Sequence, residues 1–356
     1  MSSVLHPVVF IHGLKGSTLS RPQGGRAWLT WWQALGLASP EVSLPIHWDD
    51  DGQRRDNLMP VSPLRTVARQ DIYASFLKWA ETSGCAFYPF VYDWRRDNLE
   101  TVDKFLEFLG EISEKNGATK VQVVAHSMGG LVSFVALNRR PDLFQSVLFA
   151  GVPFGHALSF LEDMHAGVPT GLNKHILSAQ VLFTCASPYI SFPSNTRSGL
   201  VEQNGDPIQH DWHSPEDWER HKLGIFGAFP AEQITREMRS HLRNALRRAR
   251  EFRSLLVSRN ERSFQYPAIA VLASDAHLTL STVVRNGPRA VKGWDFRTGL
   301  REPGDGRVLL SKATPPNGVP YVLHKTLHEH GTLLRDTFQV STILDQLNDR
   351  VGRRRD

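Results

Sequence analysis

Cysteine is almost absent from this chain of 356 residues, since only Cys85 and Cys185 occur. Two cysteines allow at most one disulfide, which excludes the disulfide-rich class of small secreted domains. No stretch approaches the roughly 20 apolar residues that span a bilayer. Residues 1–7 also lack the pattern of a signal peptide. We therefore expect a cytoplasmic protein whose two thiols are reduced.

A strong charge bias is missing as well. The 41 basic and 36 acidic residues leave a formal charge of +5, which is mild for this length and does not indicate nucleic-acid binding. Three successive aspartates, Asp49 to Asp51, lack the alternating ligand spacing of an EF-hand loop. We read them as a charged turn, and we predict no metal and no cofactor.

Short apolar runs alternate with amphipathic helical patterns through the first part of the chain. Strands are predicted at 8–11, 86–92, 120–125, 146–151 and 267–273, and helices at 71–83, 98–113, 128–139 and 337–347. This alternation predicts a mostly parallel central sheet with helices on both faces. It stops between residues 155 and 265. We expect an α/β core from 1–154 and 266–356, a tryptophan-rich insertion at about 20–66, and an inserted cap or lid at 155–265.

The segment Ala125-His-Ser-Met-Gly129 breaks an apolar strand and is followed at once by a helix. Small residues two positions either side of a serine are typical of a nucleophile elbow, where strand and helix approach closely. The alternative is that Ser127 only caps the helix. The strand before it and the helix after it favour the nucleophile.

A serine nucleophile needs a base and an orienting acid, which follow it in the order acid, then histidine, in folds of this type. Asp275 and Asp305 are both candidates for the acid, because each follows a late apolar segment or sharp turn. His324, His328 and His330 are candidates for the base, and His330 stands just before the last helix.

An attacked carbonyl also needs backbone donors for its developing negative charge. The N–H of Met128, directly after the nucleophile, is predicted to be one donor. The second is predicted to be the N–H of Leu14, in the turn after the first strand.

Five stretches in this order resemble the lecithin:cholesterol acyltransferase-like branch of the α/β-hydrolase lipases: PVVFIHGLKGSTL, FVYDWRRD, AHSMGG, GDGRVLLSKA and HGTLLRDTFQVSTIL. The resemblance implies an α/β-hydrolase fold with a lid-bearing insertion. It also implies Asp305 rather than Asp275 as the acid, and His330 as the base. The chain departs from the family pattern at Ala125, where glycine is usual, and at Arg307-Val-Leu, where Thr-Val-Pro is usual.

The implied function is a serine hydrolase or acyltransferase that acts on lipid-like esters through an acyl-enzyme on Ser127. Two alternatives use the same residues or the same fold. One is a thioesterase or a lactone or polyester hydrolase. The other is an inactive hydrolase fold that serves as a binding module.

Residues 231–257 predict one long helix with an apolar stripe and an arginine stripe. Such a helix could contact an anionic membrane surface. The simpler interpretation is a cap helix whose apolar face packs on the core and whose arginines face water.

Overall fold

The computed structural model describes residues 6–49, 56–67, 69–194, 199–261 and 263–352, so Asp50 and Asp51 of the predicted charged turn lie outside the described residues. Its centre is a six-stranded sheet made of β1 (Val8–Ile11), β2 (Phe87–Phe90), β3 (Val121–His126), β4 (Phe144–Ala150), β5 (Ala268–Ser274) and β6 (Val322–Thr326). The strand order is β6-β5-β4-β3-β1-β2, and every neighbouring pair is parallel. The predicted parallel α/β sheet is confirmed.

Helices connect and cover the strands. In chain order they are α1 (Trp31–Ala34), α2 (Ala74–Thr82), α3 (Asn98–Lys115), α4 (Met128–Arg139), α5 (Ser159–Ala166), α6 (Ala179–Thr184), α7 (Pro215–Arg220), α8 (Ile225–Ala228), α9 (Arg236–Ser254) and α10 (Thr337–Gly352). Short 3₁₀ turns occupy Pro141–Leu143, Ser187–Ser191, Ala231–Gln233, Leu310–Lys312 and His330–Arg335.

Smaller sheets lie in the segments that connect the elements of the described chain. They comprise Ser17–Ser20 with Arg26–Trp28 and Met59–Pro63; Thr66–Val67 with Gln70–Asp71; Leu200–Val201 with Val283–Arg285 and Trp294–Asp295; and His277–Leu280 with Arg301–Gly304.

Alternate residues of each central strand point to opposite faces of the sheet. Val8 and Phe10 of β1 pack in the cluster that contains α2 and α10. Val9 and Ile11 pack in the larger cluster that contains α3 and α4. Strand β3 is buried along its whole length, because both faces are covered, and this explains its continuous apolar sequence.

The sheet has a switch point between β1 and β3. From β1 the chain passes to β2 at one edge, whereas β3 to β6 extend in the other direction. Crevices outside the carboxyl ends of strands form at such switch points and are the usual binding sites of open α/β sheets. The loop after β1 and Ser127 after β3 therefore meet at one edge.

Residues 155–265 carry α5 to α9, and their apolar side chains join the cluster on the α3 and α4 face. Phe160, Leu182 and Leu246 are among the buried members. The division of the chain into core and cap stays a prediction.

The predicted helix over 231–257 is too long at both ends. The α-helix runs from Arg236 to Ser254, because the Thr235 side chain accepts the N–H of Met238 and so caps its first turn. Leu255 ends the helix as its C-cap. In the described part of the chain, no helix is both long and apolar enough to cross a membrane. Cys85 and Cys185 are not joined by a disulfide.

Candidate active site

Ser127 lies on a sharp turn between β3 and α4. Its backbone has φ 54° and ψ −126°, which is unusual for any residue other than glycine. A Cβ on Gly129 would lie 2.4 Å from the His12 carbonyl oxygen, and one on Gly130 would lie 2.0 Å from Val152 Cγ2. The small residues are therefore required by the close approach of strand and helix. The Ser127 side chain makes no capping bond to α4.

The Ser127 hydroxyl instead contacts His330. The distance from Ser127 Oγ to His330 Nε2 is 2.9 Å, and that from His330 Nδ1 to Asp305 Oδ2 is 2.8 Å. An ionised carboxylate can only accept, so Nδ1–H donates to Asp305 and Nε2 is left to accept the serine O–H. This arrangement can move a proton from the hydroxyl to the imidazole.

Asp305 is held in a tight turn after Arg301–Gly304. Its Oδ1 accepts the N–H groups of Arg307 at 2.9 Å and Val308 at 2.7 Å. The N–H of His330 donates to the Asp305 carbonyl oxygen at 2.8 Å. Burial acts to raise the pKa of Asp305, but the facing imidazole and the two N–H groups outweigh it, so its pKa lies below the ordinary value.

The other candidates lie elsewhere. Asp275 follows β5, but its carboxylate forms an exposed ion pair with Lys325 Nζ at 2.6 Å. His324 lies inside β6, and His328 lies in the loop after it. Of the predicted acids and bases, the structure brings Asp305 and His330 to Ser127.

The two predicted oxyanion donors flank the switch point. Leu14 lies in the turn after β1, and Met128 is the first residue of α4. In the part of the chain that the structure describes, no protein acceptor takes the N–H of either residue. Both donors are therefore available to an oxygen on a bound carbonyl.

A buried hydrogen-bond network lies behind the serine and was not found from the sequence. The N–H of Gly13 donates to the Tyr73 hydroxyl at 3.2 Å, which donates to His126 Nδ1 at 2.7 Å. His126 Nε2–H donates to the His330 carbonyl oxygen at 2.9 Å. Burial lowers the pKa of His126 to about 3, so this imidazole is neutral and links the loop of Gly13 to that of His330.

Gly151 is a second feature that sequence reasoning missed. It follows β4 directly and has φ 58°. A Cβ there would lie 2.4 Å from Leu333 Cδ1 and 3.1 Å from both Asp305 Oδ2 and His330 Nδ1. The only sequence signal was a glycine at the end of a buried strand.

A cavity of about 310 Å³ opens at this edge of the sheet. Ser127 and His330 line it together with apolar side chains from the turn after β1, from residues 28–72 and from residues 155–265, namely Leu14, Trp28, Leu64, Val67, Ile72, Phe160 and Val168. Such a lining suits the apolar part of a substrate. Among the described residues, no group of three or more His, Cys, Asp or Glu side chains could hold a metal ion.

The family model for lecithin:cholesterol acyltransferase matches residues 64–190, the part that contains β2, β3, β4 and Ser127. The resemblance to the lecithin:cholesterol acyltransferase family is confirmed. A lecithin-cholesterol acyltransferase-like protein of Arabidopsis thaliana is 24% identical over 172 residues, which cover 40% of this chain and 32% of that protein.

A triacylglycerol lipase of Pseudarthrobacter phenanthrenivorans is 32% identical over 81 residues, or 22% of this chain and 25% of the lipase. The chain thus spans a third or less of the length of these two relatives. Among solved structures, the Tle4–Tli4 complex matches with a TM-score of 0.56 and 14% identity, over 99% of this chain and 98% of that one. The α/β-hydrolase fold implied by the sequence is confirmed.

Proposed function

We propose that this chain cleaves lipid-like carboxylic esters through an acyl-enzyme on Ser127. The observation that carries the proposal is the unbroken hydrogen-bonded chain from Ser127 through His330 to Asp305 at the wall of a mostly apolar cavity. The family match and the lipase relative support the same reaction class.

In the proposed reaction, Ser127 Oγ attacks the ester carbonyl carbon as its proton passes to His330 Nε2. The Leu14 and Met128 N–H groups stabilise the resulting oxyanion. The imidazolium, held by Asp305, then returns the proton to the departing alkoxide as the carbon–oxygen bond breaks. Water or an alcohol, activated by the same imidazole, takes the acyl group and restores the serine.

Hydrolysis and acyl transfer share these residues, and so do thioester, lactone and polyester cleavage. Turnover of nitrophenyl esters, acyl-CoA thioesters and phospholipids, with and without an added alcohol or sterol, distinguishes these reactions. We expect ester turnover by the wild type and a loss of several orders of magnitude in Ser127→Ala. Equal residual rates for a folded Ser127→Ala variant and the wild type would support the inactive binding module instead.

The proposal also includes a peripheral contact of α9 with anionic membranes, but it uses only some of the arginines of this helix. Arg239 pairs with Glu219, and Arg250 pairs with Asp211. The Arg253 guanidinium donates to main-chain carbonyl oxygens, among them that of Phe154 at 3.0 Å. Three exposed arginines along one face have no ion-pair partner among the described residues: Arg236, Arg243 and Arg247. The cytoplasmic location stays a prediction.

A further inference from the structure

Two cations, Lys15 and Arg307, line the same cavity as Ser127 and His330. Lys15 directly follows the predicted oxyanion donor Leu14, and Arg307 lies two residues after Asp305. Both face a single carboxylate, that of Asp163 on α5. This arrangement puts more positive than negative charge at the wall of the cavity, and it is not needed for the proposed ester chemistry.

Arg307 binds both oxygens of the Asp163 carboxylate. Its Nη1 donates to Asp163 Oδ1 at 3.1 Å, and its Nη2 donates to Oδ2. The guanidinium carbon also lies 4.7 Å above the centre of the Phe160 ring. The bidentate pair and the ring fix the plane of the guanidinium. Arg307 lines the cavity, and its pair with Asp163 uses two of the five guanidinium N–H groups.

The Lys15 ammonium group makes no hydrogen bond within the part of the chain that the structure describes. Its Nζ lies 3.9 Å from Asp163 Oδ2, beyond hydrogen-bonding distance, and its side chain is only 25% exposed. Among the described residues, no protein acceptor takes any of the three ammonium protons of Lys15. Burial lowers the pKa of Lys15, Asp163 offsets this in part, and Arg307 lowers the pKa further. The ammonium group therefore lacks a sufficient counter-charge.

The surrounding charges do not supply that counter-charge. Glu162 lies near Arg307 but pairs with Arg297 at 3.4 Å, and Asp305 is engaged by His330. Three cations thus share the two carboxylates of α5. An anion that enters the cavity would gain the unused donors of Lys15 and Arg307 without displacing a stronger partner.

We propose that Lys15 and Arg307 form an anion subsite, so that the preferred substrates are esters with a negatively charged group close to the scissile carbonyl. The charge could be the phosphate of a lipid head group or a carboxylate on the acyl chain. A neutral acylglycerol would leave the Lys15 ammonium without a partner. This inference rests on the proposed function, and it concerns which ester is bound rather than how it is cleaved.

The test uses two pairs of soluble substrates, and the members of each pair differ in one charged group. Nitrophenyl hemiglutarate is compared with nitrophenyl valerate, and dihexanoyl phosphatidic acid with dihexanoylglycerol. The measured quantity is the ratio of kcat/KM for the anionic over the neutral member. We expect a ratio above one for at least one pair, and the pair that shows it identifies the source of the charge.

Variants assign the ratio to the subsite. Lys15→Met and Arg307→Met should each lower it about 10- to 100-fold, because each removes a charged hydrogen-bond donor. Lys15→Arg should retain most of it. Asp163→Asn should raise it, because both cations lose their internal counter-charge, whereas a purely structural ion pair predicts no gain. Arg140→Met removes an exposed arginine that pairs with Asp142, and it should leave the ratio unchanged.

The outcomes separate this inference from the proposed function. If the wild type cleaves the neutral esters but shows no anionic preference, or if Lys15→Met keeps the wild-type ratio, the anion subsite is wrong. If the folded wild type cleaves neither member of either pair and is not labelled at Ser127 by a serine-reactive probe, the proposed function itself fails. Should Arg307→Met not fold, the Lys15 variants still decide the question.

Discussion

Single residues set the geometry of the candidate site. A Cβ on Gly129 would collide with the His12 carbonyl oxygen and one on Gly130 with Val152, so the turn that presents Ser127 needs glycine at both positions. Composition and spacing alone left Asp275 and Asp305 open. The family resemblance favoured Asp305, which is the carboxylate that contacts His330.

The choice of acid gives the first prediction. Asp305→Asn should lower kcat by roughly 10³–10⁴-fold, because an amide can donate to Nδ1 and hold the imidazole in the wrong tautomer. Asp275→Asn is the matched control and should keep near wild-type kcat, since that carboxylate pairs with Lys325. Steady-state kinetics on a nitrophenyl ester measures both. A comparable loss in the two variants would contradict the assignment.

Gly151 gives the second prediction at this scale. Gly151→Ala should lower kcat about 10- to 100-fold, because the added methyl group would press on Leu333, Asp305 and His330 and shift the reacting groups. Gly117→Ala is its control: Gly117 also has a positive φ, 75°, but no heavy atom lies near its added Cβ. Both variants should lose stability from backbone strain, so an equal loss of activity in the two would count against the proposed crowding.

At the scale of secondary structure, the sequence predicted helices from their local pattern but did not predict contacts between distant segments. The helical spacing predicted both ends of α4 and the start of α3, and it ended α3 two residues early. These helices are readable because their apolar faces cover the sheet. The network of Gly13, Tyr73, His126 and His330 joins four separate segments. No local sequence pattern indicates such contacts, and so the network could not be predicted.

Helix α9 shows why a charge stripe is an incomplete guide. Its exposed arginines Arg236, Arg243 and Arg247 are spaced by seven and four residues and so share one face. We expect their joint replacement by serine to weaken binding to anionic vesicles, by about 1 kcal/mol for each arginine. Co-sedimentation with phosphatidylglycerol vesicles measures this.

Arg239→Ser/Arg250→Ser serves as the control for α9, because those two arginines already pair with Glu219 and Asp211. This variant should lose less vesicle-binding free energy per arginine than the triple variant does. If the wild type does not bind the vesicles, or if the two sets of variants lose the same amount per arginine, the proposed membrane contact of this face is wrong.

For the whole molecule, the sequence predicted the class of the sheet but not its order. Alternating strands and helices require parallel strands, yet nothing in the strands' own sequences places β1 between β2 and β3. That order creates the switch point where the turn after β1 meets Ser127. The internal arrangement of residues 155–265 also could not be predicted, because weak periodicity left their short helices undefined.

Buried histidines give a prediction for the whole fold. Burial lowers the pKa of His12, His156 and His213 to about 4, and that of His126 to about 3. In the unfolded chain these groups take up protons near pH 6.5. The unfolded state therefore binds more protons between pH 6.5 and about 4, and the free energy of unfolding should fall as pH is lowered through this window.

The slope of that fall should approach about 1.4 kcal/mol per pH unit for each histidine. Urea unfolding at fixed ionic strength between pH 8 and 4.5 measures it. We expect these four histidines to cause little change in the free energy of unfolding above pH 7. A free energy of unfolding that stays constant from pH 6.5 to 4.5 would contradict the neutral, buried state of these side chains.

Nucleophilic attack by Ser127 with proton transfer to His330 is the central claim, and labelling by a fluorophosphonate tests it most directly. Intact-mass and peptide mass spectrometry should find one adduct in the wild type, located on Ser127. Ser127→Ala should give none, and His330→Gln should react far more slowly. A folded wild type that takes up no label, or an adduct on another residue that persists in Ser127→Ala, would contradict the account.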